Sequence, residues 1–473
     1  MPPPASRSTD TMETDYLVIG AGATSMSFID TMIDSSESHI VVVDRHAQPG
    51  GHWNDAYPFV RLHQPSAWYG VPSLTLPNDH QDADVYGRGA TGAELLEYFA
   101  QLMRNKFLSS RRVQWLPRTE YIRGAEGVYL IRSVDTGETR TVRVKRKLVD
   151  ATLTRTEVSA TRAPQYSIAA GVHHVPPNAL PAHLRQPGQF TVIGGGKTAM
   201  DACLFLLDNG VDQSAIRWII PRDAWLMDRA HMLPGAEHFG DSLRGFIAHY
   251  EAIAEAGTLD GLFTRLEERG VLHRLDQRVK PLKIRGAVSS LREMNRLRSI
   301  ENVVRRGRVL AIDSARMSLE SGTIDIGSHE LFVDCSASAA VTPHDLPVFE
   351  GDVVRLLMVV WGQPMLSASL IAHVEATVDD ELEQNALCGP VISPQTVHDW
   401  LPMWAATIRN AGNWRANPAV HAWIRSCRLH VPTMMTQGVP ADHPDLQRLM
   451  KEMGSRVSAA ANRLRQMEHT HTA

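Results

Sequence analysis

Apolar positions along the chain fall into short continuous runs separated by amphipathic stretches. Tyr16-Leu17-Val18-Ile19, His39-Ile40-Val41-Val42-Val43, Phe190-Thr191-Val192-Ile193 and Ile216-Arg217-Trp218-Ile219-Ile220 are four or five residues long and end at Gly, Asp or Pro. Such runs predict strands buried on both faces, as in parallel sheets. Lys147-Leu148-Val149-Asp150-Ala151-Thr152 and Leu331-Phe332-Val333-Asp334-Cys335-Ser336-Ala337 predict two similar closing strands. Leu356-Leu357-Met358-Val359-Val360-Trp361 predicts another. Thr91-Gly92-Ala93-Glu94 is a capping box, and Leu95, Leu96, Phe99 and Leu102 give the helix behind it an apolar face. From Gln114 to Val144 the residues alternate, with turn signals at Arg123-Gly124 and Asp135-Thr136-Gly137, which predicts a small antiparallel sheet. Residues 155–188 are proline-rich and read as a connector. Residues 238–297 read as helices, because Leu243, Phe246, Ile247, Tyr250, Ile253 and Ala254 recur at helical spacing. Hairpin-like alternation runs from Glu301 to Asp313. Gln363-Pro364-Met365-Leu366-Ser367 predicts a loop into a helix over Ala368 to Thr377, with Ser367 as its cap. Trp400, Leu401, Trp404, Ile408, Trp414 and Trp423 mark a helical tail that covers the core or a partner subunit.

The turns after two of these strands carry the chemistry. Tyr16–Ile19 runs into Gly20-Ala21-Gly22-Ala23-Thr24-Ser25, a tight turn and a helix start. Gly20 allows the turn, Gly22 removes a Cβ where a pyrophosphate must approach, and Ser25 keeps the helix close to the strand. The helix start offers unpaired N–H groups and a positive dipole end to phosphates. The next strand ends in Asp44, about twenty residues on, where a carboxylate accepts ribose hydroxyls and repels a 2′-phosphate. The pattern returns as Gly194-Gly195-Gly196-Lys197-Thr198-Ala199, with Lys197 and the Thr198 hydroxyl in reach of phosphate oxygens. The strand after it ends in Pro221-Arg222, and no acid stands where Asp44 stood. A guanidinium there suits a 2′-phosphate. The pattern implies an α/β chain with two Rossmann-like units, one for each of two dinucleotides.

At 473 residues the chain has room for two or three full cores, and a net charge of -4 gives no reason to expect nucleic acid or an anionic membrane. Cys203, Cys335, Cys388 and Cys427 are scattered without a CxxC pair, which argues against a redox dithiol or a zinc site and suits a reducing cytoplasm. The 21 histidines show no metal-ligand spacing, and His173-His174 reads as a polar loop pair. The first fourteen residues read as a disordered tail. The most apolar later stretch, 353–374, is broken by Arg355 and Gly362-Gln363-Pro364 and does not read as a membrane span.

Gly50-Gly51-His52-Trp53, then Tyr57-Pro58, Arg61 and Pro65-Ser66, resembles the FAD domain of the flavin-containing and Baeyer–Villiger monooxygenases. The resemblance covers both nucleotide turns and most of the first domain. His63 and Gln64 stand where that family holds an Asn or Asp beside the reactive flavin carbon. Gly171-Val172-His173-His174-Val175-Pro176-Pro177 departs from the family's FxGxxxH signature, which marks a divergent relative. The resemblance implies a FAD domain of residues 15–160, an NADPH domain of 161–330 with its helical insertion at about 238–297, and a return to the FAD domain over 331–473. It implies FAD contacts from Gly20, Gly22, Thr24, Ser25, Asp44, Arg45, Gly51, His52, Trp53, Arg61, Gln64, Ala151, Gln363 and Ser367. NADPH contacts would come from Gly194, Gly196, Lys197, Thr198 and Arg222, with Trp225, Arg229 and His231 facing the nicotinamide. His63, Gln64 and Arg61 are the candidate catalytic residues. The implied reaction is NADPH-dependent reduction of FAD, addition of molecular oxygen to give a peroxyflavin, and transfer of one oxygen atom to a small molecule at nitrogen or sulfur. A halogenase and an NADPH-dependent reductase or oxidase are the alternatives. No metal, nucleic acid or membrane partner is expected, and a homodimer through the helical tail is open.

Overall fold

The computed structural model describes residues 11–76, 89–125, 127–153, 158–185, 188–336 and 346–471. Most of the expected N-terminal tail lies outside them. The first strand, β1 (Thr11–Ile19), begins inside that tail. Its extra residues pair with β6 from Thr11 onward, and the buried Thr14 hydroxyl donates to the His39 carbonyl at 2.8 Å.

Helix α1 (Ala23–Ser35) comes next, then β2 (Ile40–Val43), α2 (Gly92–Leu102), β3 (Val113–Leu116), β4 (Thr119–Ala125), β5 (Val128–Ser133) and β6 (Thr139–Asp150). The predicted capping box forms, with Thr91 and Glu94 each bonding the other's backbone N–H. β3, β2, β1 and β6 pair in parallel, and β4 and β5 fold back as an antiparallel hairpin continuing onto β6. The hairpin turns at Gly127, whose φ is 77°, and not at Arg123-Gly124. Gly124 stays in β4 because a Cβ there would lie 2.5 Å from the Val128 carbonyl oxygen.

The second unit begins within the expected connector. β7 (Ser167–Ile168) and β8 (His173–Val175) are edge strands, so His173 and His174 are strand residues. β9 (Gln189–Ile193), α3 (Lys197–Asp208) and β10 (Ile216–Ile219) repeat the first unit's crossover. After β11 (Ala224–Asp228), the 238–297 insertion is mixed, not helical throughout: α4 (Phe239–Glu255), α5 (Leu259–Glu268), β12 (Leu272–His273), β13 (Lys283–Ser289) and α6 (Leu291–Arg298). β13 pairs in parallel with β11, a long-range contact that local helical spacing does not register. β14 (Val303–Val304), β15 (Val309–Ile312), β16 (Arg316–Leu319), β17 (Gly322–Asp325) and β18 (Glu330–Asp334) complete it. Among the described residues the second parallel sheet has the order β14-β10-β9-β18-β8.

The chain then returns to the first sheet. β19 (Phe349–Glu350) and β20 (Val353–Arg355) add to β6. The strand expected over 356–361 is absent, because the sheet ends at Arg355 and the segment runs as a loop into α7 (Pro364–Thr377). Helices α8 (Glu381–Leu387), α9 (Trp400–Ala416), α10 (Pro418–Ser426), α11 (Val431–Met435) and α12 (Pro444–His471) form the tail. No helix of the described residues is long and apolar enough to cross a membrane.

Both parallel sheets are covered alike. In the first, α1 and α7 pack on one face and the hairpin on the other. In the second, α3 and α6 cover one face and the β15–β17 sheet the other. The first unit is closed by buried polar contacts to α7. Glu375 accepts from the Tyr16 hydroxyl at 2.9 Å and from Lys147 at 2.8 Å, and Ser27 bonds Ser369 at 2.7 Å. Burial and the adjacent Glu375 carboxylate push the Tyr16 phenol far above its usual range. Glu375→Ala leaves a half-buried ammonium and a buried phenol without their acceptor. It is expected to destabilise the protein by about 3 kcal/mol, read as a lower urea midpoint with an unchanged slope.

Candidate functional site

In the first turn, Gly20 adopts φ 98° and Gly51 φ 56°. The Gly50–Gly51 loop lies on the turn: the Gly50 N–H donates to the Ala21 carbonyl at 2.8 Å, and a Cβ on Gly51 would lie 2.9 Å from Gly22 Cα. No side chain caps α1, so its first N–H groups are left for a ligand, and Ser25 bonds back to the Gly22 carbonyl at 2.8 Å. Thr24 is half-buried and His52 exposed beside it. Ala151 donates its N–H to Ile19 at 3.2 Å and closes the turn's floor.

Asp44 sits at the end of β2 as expected, with its oxygens largely engaged. Oδ2 accepts the Ala21 N–H at 2.7 Å; Oδ1 accepts the N–H and ring Nδ1–H of His46, each at 2.8 Å. One acceptor direction, on Oδ2, remains for a ribose hydroxyl. Burial pushes the Asp44 carboxyl up, and the His46 and Ala21 hydrogen bonds more than reverse it. His46 also bonds Asp55 at 3.1 Å, so a histidine that sequence reasoning passed over braces this corner. Arg45 is exposed and pairs with Asp55 at 3.5 Å.

Trp53 is buried and donates to the Tyr69 hydroxyl at 2.6 Å. Arg61 is exposed and bonds the Gly89 carbonyl at 3.3 Å; it does not join His63 and Gln64 on the cavity wall. Ser367 is not a cap: α7 starts three residues earlier, at Pro364. The Ser367 hydroxyl instead accepts the Val359 and Val360 N–H groups at 3.1 and 3.0 Å and donates to Gln363, fixing the loop before the helix. Gln363 is 1% exposed, and among the described residues its Nε2 has no hydrogen-bond partner.

The second turn faces a cavity of about 1800 Å³, which His63, Gln64, Gly194, Gly196, Lys197 and Thr198 line. Gly194 has φ 137°, and Gly196 opens onto free space. Nothing caps α3. Lys197 is turned along its helix to Asp201, which also accepts the Tyr57 hydroxyl at 2.7 Å from the first unit.

His63 is held from two sides. Its Nδ1 accepts the Val288 N–H at 3.3 Å, and its carbonyl accepts the Arg229 Nε–H at 2.9 Å. Arg229 is 3% exposed and pairs with Glu293 at 2.9 Å. Glu293 is fixed in turn by the capping box that Ser290 forms with it at the start of α6. Burial, Lys197 and Arg229 push the His63 imidazole down to about 3. It is therefore neutral, and with Nδ1 accepting, the proton sits on Nε2. Among the described residues Nε2 has no protein partner. Ser290-Leu291-Arg292-Glu293 is a legible capping box; its ion pair to Arg229 is not, because the two lie in separate elements.

Arg222 lies at the cavity mouth, exposed and 4.0 Å from Glu320. It has company that the sequence did not single out. Lys283 and Arg285 on β13 and Arg308 before β15 line the same mouth. Burial and the surrounding Arg285, Arg222 and Arg308 charges lower the Lys283 pKa; burial, Arg308 and Arg222 lower that of Arg285. Arg305 nearby is neutralised by Asp223 at 2.9 Å, whereas among the described residues these four cations have no partner so close. The spacing of Lys283 and Arg285, two apart on a strand, was the available signal.

No family model matches the chain. It is 38% identical to the Mycobacterium tuberculosis uncharacterized protein Rv2000 and to Mycobacterium bovis Mb2023, across 100% of this chain and 88% of each relative. The chain belongs to the Rv2000 family. The solved structures that resemble this member include the open crystal structure of cyclohexanone monooxygenase, with TM-score 0.50 and 14% identity over 87% of this chain and 98% of that one. A flavin-containing monooxygenase from Stenotrophomonas maltophilia gives 0.46 and 16%, over 77% and 97%. At these identities the likeness is one of fold. The fold likeness to cyclohexanone monooxygenase agrees with the arrangement expected from the sequence: two Rossmann-like units, the second inserted in the first, and a helical tail.

The Asp44–His46 contact raises the His46 pKa above its ordinary value, chiefly through the hydrogen bond and the carboxylate charge. Its stabilisation is therefore present below the unfolded pKa of about 6.5 and fades as pH rises through the folded value. His46→Gln is expected to cost more stability at pH 5.5 than at pH 8.5. Urea unfolding of both proteins at the two pH values checks this.

Proposed function

We propose that this protein is an FAD- and NADPH-dependent monooxygenase acting on a small molecule. One observation carries the reading: the two nucleotide turns have opposite charge at their ribose ends, a carboxylate at the first and four cations at the second. The first suits the free 2′-hydroxyl of FAD, and the second suits the 2′-phosphate of NADPH.

The remaining residues fit this assignment. Gly22 and Gly51 let the two loops of the first turn pack on one another, Gly196 opens the second turn to free space, and the uncapped α1 and α3 supply N–H groups for phosphates. Gln363 holds an unused donor at the start of α7, where the flavin pyrimidine edge lies in proteins of this architecture. Reduced flavin, when bound, supplies the reaction with molecular oxygen. The chain's part is to keep the site dry and fixed. Trp361 and Trp404 line the cavity, and Trp400 packs edge-to-face on both, with ring centroids 5.2 and 6.2 Å away. His63, neutral and anchored through Nδ1, offers Nε2–H as a fixed donor to an oxygen atom and cannot act as an acid at neutral pH.

The oxygen acceptor in this reading is a nitrogen or sulfur centre. A dithiol reductase is disfavoured because Cys203, Cys335, Cys388 and Cys427 are all buried and unpaired. Such thiols also suit a reducing cytoplasm. Purified protein is expected to be yellow with bound FAD and to consume NADPH in step with oxygenated product. Colourless protein that refuses flavin, or NADPH consumption matched wholly by hydrogen peroxide, overturns the proposal.

Two variants test the parts. Arg222→Ala combined with Arg285→Ala removes two charge-assisted contacts and is expected to lower kcat/KM for NADPH roughly 10- to 100-fold while leaving NADH unchanged. His63→Ala is expected to divert reduced oxygen from product to peroxide without loss of FAD; an unchanged ratio removes His63 from the mechanism.

A further inference from the structure

The cavity's volume of about 1800 Å³ exceeds the roughly 300–1,000 Å³ of a single-ligand site, so it has room for a second molecule beside a nucleotide. Away from the second turn its wall is built by the insertion and the helical tail, with Leu243, Phe246, Tyr250 and Ile408 among the apolar residues. Within that apolar wall, polar atoms are left unused. Trp404 is 2% exposed, Trp68 4% and His249 5%. Among the described residues the indole Nε1 atoms of Trp68 and Trp404 and the Nε2 of His249 have no hydrogen-bond partner. All three side chains line the cavity.

The protonation of His249 is set by its other nitrogen. Nδ1 lies 2.9 Å from the Gly245 carbonyl, an acceptor, so Nδ1 carries the hydrogen and Nε2 presents a lone pair. The His249 and Trp404 rings are 5.6 Å apart between centroids. An unused acceptor and an unused donor thus belong to neighbouring rings in an apolar wall. A carboxylate or a ketone satisfies the Trp404 indole and leaves His249 without a donor. An ammonium satisfies His249 and leaves the indole without an acceptor. A neutral hydroxyl does both, giving its hydrogen to His249 and receiving that of Trp404.

We infer that this end of the cavity binds a predominantly apolar molecule through one neutral hydroxyl group, held between His249 and Trp404. Such a molecule is the substrate class of the proposed monooxygenase site, and the inference rests on that reading only for what becomes of the ligand. Binding itself needs neither nucleotide.

Equilibrium dialysis of the full-length protein against 2-naphthol and its near-isostere 2-methylnaphthalene tests it. The protein is expected to bind the naphthol about tenfold more tightly, and His249→Leu and Trp404→Phe are each expected to reduce that preference about threefold or more. Equal affinity of the unmodified protein for the two probes, which is also the result if water merely fills the corner, overturns the inference without recourse to any variant. A preference that survives both substitutions, in proteins whose thermal midpoints show them folded, overturns it too. Flavin content and NADPH oxidation, measured on the same preparation, separate the two readings. A yellow, NADPH-consuming protein blind to the hydroxyl refutes this inference alone. A colourless protein that keeps the preference refutes only the monooxygenase.

Discussion

The cavity depends on one buried guanidinium. Arg229, at the end of β11, reaches the His63 carbonyl in the first unit and Glu293 on α6 in the second. A buried cation without a partner costs several kcal/mol, so its two acceptors are held where it is. Val288 adds a second tie, from β13 to the His63 ring. The segment that carries His63 and Gln64 is thereby fixed to the unit that carries the second nucleotide turn. Neither unit alone would define where His63 points.

The layering of the two sheets explains why the site lies where it does. Each parallel sheet is covered on one face by helices and on the other by a small antiparallel sheet, which leaves the C-terminal edges of the strands free. Both glycine turns sit at such edges, the usual location of ligands in open α/β sheets. The insertion and the tail then roof the second turn. Their apolar contacts, centred on Trp400, Trp404 and Phe263, make the roof from segments more than a hundred residues apart in sequence.

Much of this was legible because the relevant signals are local. A turn that requires positive φ demands glycine, and Gly20 and Gly194 supply it. A capping box is defined within four residues, and Thr91–Glu94 forms as expected. What was illegible depends on tertiary partners. Lys283–Ser289 becomes a strand only because β11 lies beside it. Leu356–Trp361 has strand composition and no neighbour to pair with. Ser367 has a cap's chemistry, yet Pro364 starts the helix earlier and the hydroxyl turns to the preceding loop instead. The role of Arg229 could be guessed from its position after β11, but not its pairing with Glu293. Asp44 stood where expected, though the neighbouring His46 took up acceptor positions that the motif assigns to ribose.

The cluster of Arg222, Lys283, Arg285 and Arg308 has one further consequence. Like charges gathered at one rim repel, and counter-ions in the surrounding solution must mask them until a dianion arrives. Anion binding there expels that ionic atmosphere, so affinity for the nucleotide should fall as salt concentration rises. The effect should be far weaker at the first turn, where Asp44 and His46 neutralise one another within the fold. On the proposed assignment the two turns thus feel the electrolyte around them differently: the nucleotide at the first is held within the fold, and the one at the second is drawn in by a field.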